Sequence, residues 1–196
     1  MTAPRRIVVA ITGATGAIYG VRLLEVLRRT EGVESHLVMS APGKRTIVHE
    51  TSLRVKDVAA LAHVVHDNRD IGAPLASGSF RTHAMVIAPC SMKSASAVAH
   101  AYGSTLISRA ADVTLKEGRR LVALVRETPL HTGHLRILLT LSEIGAVVMP
   151  PLPAFYQRPR TIDDIVNHTV ARILDRIDVA QDLVPEWAGT SEREDD

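Results

Sequence analysis

Residues 7–11, Ile-Val-Val-Ala-Ile, run directly into Thr12-Gly13-Ala14-Thr15-Gly16, after which apolar residues recur at Ile18, Val21, Leu23, Leu24 and Leu27. The opening run is β-branched and lacks polar alternation, the pattern of a parallel strand covered on both faces. The later spacing is that of an amphipathic helix. Strand, glycine turn and helix in immediate succession form the first half of a βαβ unit. The alternation continues: 36–39 reads as a second strand, 44–50 as a helix, 55–62 as a short helix and 63–66 as an edge strand. Residues 84–88, 121–125 and 147–149 read as further apolar strands with helical segments between them, and 162–176 as a long closing helix capped by Thr161. Residues 68–81, rich in Gly, Ala and Ser, read as a long structureless loop. This order predicts an α/β protein with a Rossmann-like, doubly wound parallel sheet.

The chain has 196 residues, 46% hydrophobic and 22% charged, enough for one sizeable core. We read a single domain over 1–187 and a polar tail over 188–196. Lys plus Arg number 23 against 21 Asp plus Glu, and aromatics make up 3%, so neither a basic field nor a base-stacking platform marks a nucleic-acid binder. A single cysteine, Cys90, excludes an intrachain disulfide and a cysteine-based zinc cluster, which fits a reducing compartment. No apolar stretch reaches about 18 residues, so no membrane span is expected. A cytoplasmic protein is the resulting expectation.

Several stretches carry groups suited to an anionic ligand. The turn from Thr12 to Gly16 lies between a strand and a helix amino terminus, where backbone amides and the helix dipole favour negative charge. It is either a phosphate cradle or a tight turn that needs glycine for its own backbone. The second strand ends Val38-Met39-Ser40, without the acidic residue that reads an adenosine ribose, which favours a mononucleotide over a dinucleotide. Ser40 itself is a ligand hydroxyl or a helix cap. Ser91, Met92, Lys93 and Ser94 repeat the strand-to-helix device. Arg126 and Glu127 follow a buried strand directly, which puts both charges at the ligand edge of such a sheet. Arg109, Asp112 and Lys116 share a helix face and read as a charge ladder, while Glu50 reads first as a solvated helix-end carboxylate, with a lean toward the ligand edge as the alternative. Tyr156, in a proline-framed loop, is a positioned phenol or a packing aromatic. Arg172, among Val166, Val170 and Ile173, either snorkels or reaches an anion. The histidine pairs His63/His66 and His131/His134 lack a matching ligand set, so no metal site is assigned.

Taken together, Thr12-Gly13-Ala14-Thr15-Gly16, Ser77-Gly78-Ser79-Phe80, Ala88-Pro89-Cys90-Ser91-Met92-Lys93, Arg109-Ala110-Ala111-Asp112-Val113, Leu115-Lys116-Glu117, Arg126-Glu127-Thr128-Pro129-Leu130, the proline-rich stretch from Pro150 to Tyr156, and Arg172 resemble the UbiX flavin prenyltransferases. The resemblance implies a metal-independent enzyme that moves a dimethylallyl group from dimethylallyl monophosphate to N5 and C6 of reduced FMN, making prenylated FMN for a UbiD-type decarboxylase. It implies FMN contacts at Gly13, Ala14, Thr15, Ser40, Ser91, Met92, Lys93, Ser94 and Arg126. Arg109, Lys116, Tyr156 and Arg172 would bind the prenyl phosphate, and Glu50, Glu127 and Lys116 would be catalytic. It also implies a homo-oligomer, a dodecamer whose neighbouring subunits complete each site. Thr15 stands where many members have serine, and Ser104-Thr105 where many have Asp-Asn; these bear on rate and donor choice. The competing readings are a flavin-dependent oxidative decarboxylase, a non-catalytic FMN-binding accessory subunit and an NAD(P)-binding oxidoreductase, the last lacking a Tyr-x-x-x-Lys pair.

Overall fold

A computed structural model describes residues 3–186 and 189. Trp187 and the tail 188–196, apart from Gly189, lie outside the described residues. Six strands form one parallel sheet: β1 (Arg5–Ile11), β2 (Val33–Met39), β3 (Val64–Asp67), β4 (Ala84–Cys90), β5 (Arg120–Val125) and β6 (Val147–Val148). Their spatial order is β3-β2-β1-β4-β5-β6, so the winding reverses between β1 and β4. Ligands of open α/β sheets bind at that reversal, outside the carboxyl ends of the strands.

Helices cover both faces. α1 (Ala17–Arg29), α2 (Ala41–Glu50), the single turn α3 (Val55–Ala59) and α7 (Ile162–Arg176) lie on one face, sharing a core with Ile7, Val9 and Ile11. α4 (Met92–Ala99), α5 (Leu106–Lys116) and α6 (Thr132–Glu143) lie on the other, with Val8 and Ala10. Adjacent β1 residues thus feed opposite cores, which is why that strand shows no polar alternation. Leu23, Leu24 and Leu27 of α1 are fully buried, each contributing about 1.5–3 kcal/mol by removal from water.

The structure moves several expected boundaries. The helix expected over 44–50 starts at Ala41, because the Ser40 hydroxyl accepts from Gly43 N at 3.0 Å and Pro42 fits a first turn that needs no amide hydrogen bond. The helix expected over 55–62 ends at Ala59, and the edge strand is shifted one residue to Val64–Asp67, paired His36 to Val64. The last strand keeps only Val147 and Val148. The loop 68–81 is not wholly irregular: Pro74–Ala76 form a 3-10 turn whose Leu75 is buried against the α5 face. Asn68 O accepts from Leu106 N, and Ala76 O from Arg109 Nε, so α5 holds the start of this loop and the end of its turn.

Candidate functional site at the carboxyl edge of the sheet

The strand ends at the reversal are tied together by hydrogen bonds that run across the sheet. Thr12 Oγ1 donates to Pro89 O at 2.8 Å and accepts from Ser91 N at 2.8 Å. Ser40 N donates to Ile11 O, and Arg126 N to Cys90 O. Thr12 is almost fully buried, so its hydroxyl is a tie between β1 and β4 and is not presented to a ligand. The residues it aligns are another matter: Thr15, Ser40, Ser91, Ser94 and Arg126 now stand along one edge, contributed by four different strand-to-helix turns or loops. Both alternatives for Ser40 hold at once in part, since its oxygen caps α2 while its hydroxyl hydrogen can still donate.

The glycine turn is shaped by two constraints. Gly16 has φ +99°, a left-handed conformation that strains other residues. A Cβ on Gly13 would lie 2.2 Å from Pro42 Cβ, so glycine is what allows β1's turn to pass beneath the start of α2. Glu50, expected to be solvated at its helix end, instead reaches this turn: its Oε2 accepts from Gly16 N at 2.8 Å and Ala17 N at 3.1 Å. The carboxylate therefore occupies two of the α1 amides that a phosphate cradle would use. On the Ser91–Ser94 side of the edge the Ser91 cap on Ser94 N is a long 3.4 Å, so that amide is only weakly engaged.

Arg126 and Glu127 emerge exposed from β5, Glu127 Oε1 accepting from Thr128 N at 3.0 Å. Cys90 is fully buried and burial pushes its thiol up to about 12, which makes it an inert core group.

The four residues expected to bind a prenyl phosphate do not meet within one chain. Arg109 and Lys116 lie on α5, where Arg109 Nη1 pairs with Asp112 at 2.7 Å and Lys116 Nζ with Glu117 at 2.6 Å. The Lys116 hydrogen bond holds the Glu117 carboxyl below its ordinary range. α5 runs antiparallel to the strands and leads into Arg120, the start of β5, so Lys116 sits at the opposite edge of the sheet from Arg126. The 11 residues of α5 separate its ends by about 15 Å. Tyr156 and Arg172 are on the other face. They line an open cavity of about 1480 Å³ together with His168 and Asp175, Tyr156 Oη lying 3.3 Å from His168 Nε2 and Arg172 Nη1 2.7 Å from Asp175 Oδ2. Arg172 is exposed, pointing away from the Val166, Val170 and Ile173 stripe that seemed to surround it in sequence.

Two histidine features were not legible beforehand. His168 lies one helical turn before Arg172, a spacing that puts both on one side of α7 and could have linked it to Tyr156's partner. His36, buried within β2, joins His66 at 2.9 Å and Glu34 at 2.8 Å, a contact between strands that local spacing does not encode. Among the described residues, no group of three or more His, Cys, Asp and Glu is arranged to hold a metal ion, and no helix is long and apolar enough to cross a membrane.

Comparison with known proteins identifies the family and agrees with the fold. The Flavoprotein family model matches residues 1–174. The chain is 56% identical over 189 residues to the flavin prenyltransferase UbiX of Thauera aromatica, covering 96% of this chain and 97% of that protein. Among solved structures it is similar to AnUbiX (PadA1) in complex with FMN and dimethylallyl pyrophosphate, with a TM-score of 0.93 at 48% identity over 96% of this chain and all of that one. It is also similar to a dodecameric FMN-dependent UbiX-like decarboxylase from Escherichia coli O157:H7, with a TM-score of 0.92 at 49% identity over 94% of this chain and all of that one.

Proposed function

The chain belongs to the UbiX flavin prenyltransferases, and from that premise we propose that it binds reduced FMN at the carboxyl edge of its sheet and joins a dimethylallyl group from dimethylallyl monophosphate to flavin N5 and C6. The observation that carries the reading is the row of Thr15, Ser40, Ser91, Ser94 and Arg126 aligned at the reversal between β1 and β4. Hydroxyls and one guanidinium are the donors a ribityl phosphate requires, and with Gly13, Ala14, Met92 and Lys93 they would hold FMN. FMN supplies the electron-rich ring that accepts the prenyl group.

The chain's own residues then have three tasks. Arg109, Lys116, Tyr156 and Arg172 bind the donor phosphate and stabilise the charge it gains as the carbon–oxygen bond breaks. Glu127 and Glu50 hold or move protons; because Glu50 Oε2 is engaged by Gly16 N and Ala17 N, that role falls to its Oε1. The closed site would exclude water from an allylic cation-like carbon.

The separation of Arg109 and Lys116 from Tyr156 and Arg172 supports a site completed by further copies of this chain, α5 of one meeting the Tyr156 cavity of another. The dodecameric relative supports the same reading. The prenylated product would serve a decarboxylase of the UbiD type. Incubating the protein with FMN, a reductant and dimethylallyl monophosphate, followed by mass spectrometry of the released flavin, is the test. A flavin heavier by one five-carbon prenyl unit is expected. An unchanged flavin mass would instead favour an oxidative decarboxylase or an FMN-binding accessory protein.

A further inference from the structure

A phenol can bind a phosphate only if its proton points at it. Tyr156 has one O–H hydrogen, and a donor or acceptor facing its oxygen biases where that hydrogen turns. His168 is such a neighbour: its ring stands edge-on to Tyr156, at 87° with centroids 6.0 Å apart, and its Nε2 lies 3.3 Å from the phenol oxygen. Burial, and then the nearby Arg172 charge, hold the His168 imidazole below its ordinary range, with Asp175 opposing them. At neutral pH the ring therefore carries a single proton, and which nitrogen bears it matters. A bare Nε2 would draw the Tyr156 hydrogen toward itself and leave only lone pairs facing an anion. An Nε2–H does the reverse.

We propose that His168 is a positioning residue for the prenyl donor, its Nε2–H donating to Tyr156 Oη and so turning the phenol hydrogen toward the donor's phosphate. Arg172, one turn along the same side of α7, binds that phosphate directly, and the arriving negative charge reinforces a proton on the His168 nitrogen nearest to it. His168 touches neither donor nor flavin in this arrangement; it acts through Tyr156. The inference rests on the reading of Tyr156 as a donor-phosphate residue.

The two ideas can be separated by measuring donor affinity without chemistry. Dimethylallyl monophosphate is titrated calorimetrically into the protein loaded with oxidised FMN, for wild type, Tyr156→Phe, His168→Leu, His168→Gln and the Tyr156→Phe/His168→Leu double variant. Loss of one such hydrogen bond should weaken donor binding about 3- to 10-fold in Tyr156→Phe and in His168→Leu. The double variant should be no weaker than Tyr156→Phe alone, because His168 has nothing left to orient. His168→Gln, whose amide can still donate, should stay within about twofold of wild type. FMN affinity and thermal midpoint should be unchanged throughout, since Tyr156 is exposed and His168 only half-buried; His168→Ala replaces the leucine variant if that one aggregates. Unchanged donor affinity in Tyr156→Phe would overturn the role of Tyr156 and, with it, this inference. Normal affinity in His168→Leu with weakened Tyr156→Phe, or additive losses in the double variant, would overturn the role of His168 alone.

Discussion

At the scale of single residues, the buried imidazole of His36 links His66 to Glu34. Its proton pattern is assignable from the partners: His66 Nε2–H donates to His36 Nδ1, His36 Nε2–H donates to Glu34 Oε1, and Arg6 Nε donates to the same oxygen at 3.0 Å while its guanidinium lies over the Phe80 ring. The His36–His66 contact keeps one donor facing one acceptor unless both imidazoles are protonated, when two N–H groups face each other. Burial is the main reason both histidines titrate below the ordinary 6.5, and the Glu34 carboxyl is held low chiefly by its His36 hydrogen bond. A depressed histidine pKa means that the unfolded chain takes up protons first as pH falls, so stability declines on acidification through and below the ordinary 6.5. The Glu34 contribution is present above the ordinary carboxylate range and is lost only at lower pH. Thermal midpoints across the histidine range should fall toward acid in wild type and fall less in His66→Gln, which keeps a donor to His36 but cannot titrate. Equal slopes in the two proteins would remove this pair from the pH dependence.

At the scale of elements, the meeting of the first glycine turn with the start of α2 is the tightest junction near the site. Gly13→Ala places a methyl 2.2 Å from Pro42 Cβ, and a proline in a first helical turn cannot swing aside as a flexible side chain would. We expect the variant to lose about 1–3 kcal/mol of stability by denaturant unfolding, as overpacked sites do, together with weakened FMN binding because Ser40 is the N-cap of the displaced helix. Unchanged stability with wild-type FMN affinity would mean that this turn can relax without moving α2. The same junction explains why the sequence underestimated α2. Counting apolar residues from Lys44 missed a start set by a serine cap and by Pro42, neither of which contributes to hydrophobic periodicity.

At the scale of the whole molecule, the two faces of the sheet divide the proposed donor-phosphate residues into α5 and α7 sets. If sites form between copies, Lys116→Ala and Arg172→Met each disable every site in a pure oligomer, yet a mixed oligomer contains sites built from the intact α5 of one subunit and the intact α7 of another. Unfolding the two variants together and refolding them should restore roughly a quarter of wild-type prenyl transfer if subunits mix at random. The measurement is flavin product per site, after the mixed oligomer is confirmed by native mass spectrometry. No recovery in a confirmed mixture would require one chain to assemble its own site.

The strands and their parallel arrangement were legible because each depends on local pattern. An unbroken β-branched run can sit only between two apolar layers, and a glycine turn after it presents amides at a helix start. The resemblance of the dispersed motifs likewise singled out Arg109, Lys116, Tyr156 and Arg172. The folded chain alone decided what these residues can reach. Glu50, read as a solvated helix end, is brought by the packing of α2 beside α1 to Gly16 N and Ala17 N. Thr12 became a buried tie because β4 lies next to β1, although 77 residues separate its hydroxyl from Pro89 in sequence. His168 acquired significance from a loop that folds back on α7. Periodicity records which side of an element faces apolar surroundings; polar partners depend on direction and distance to within a few tenths of an ångström, and only the packed sheet and its helices supply those.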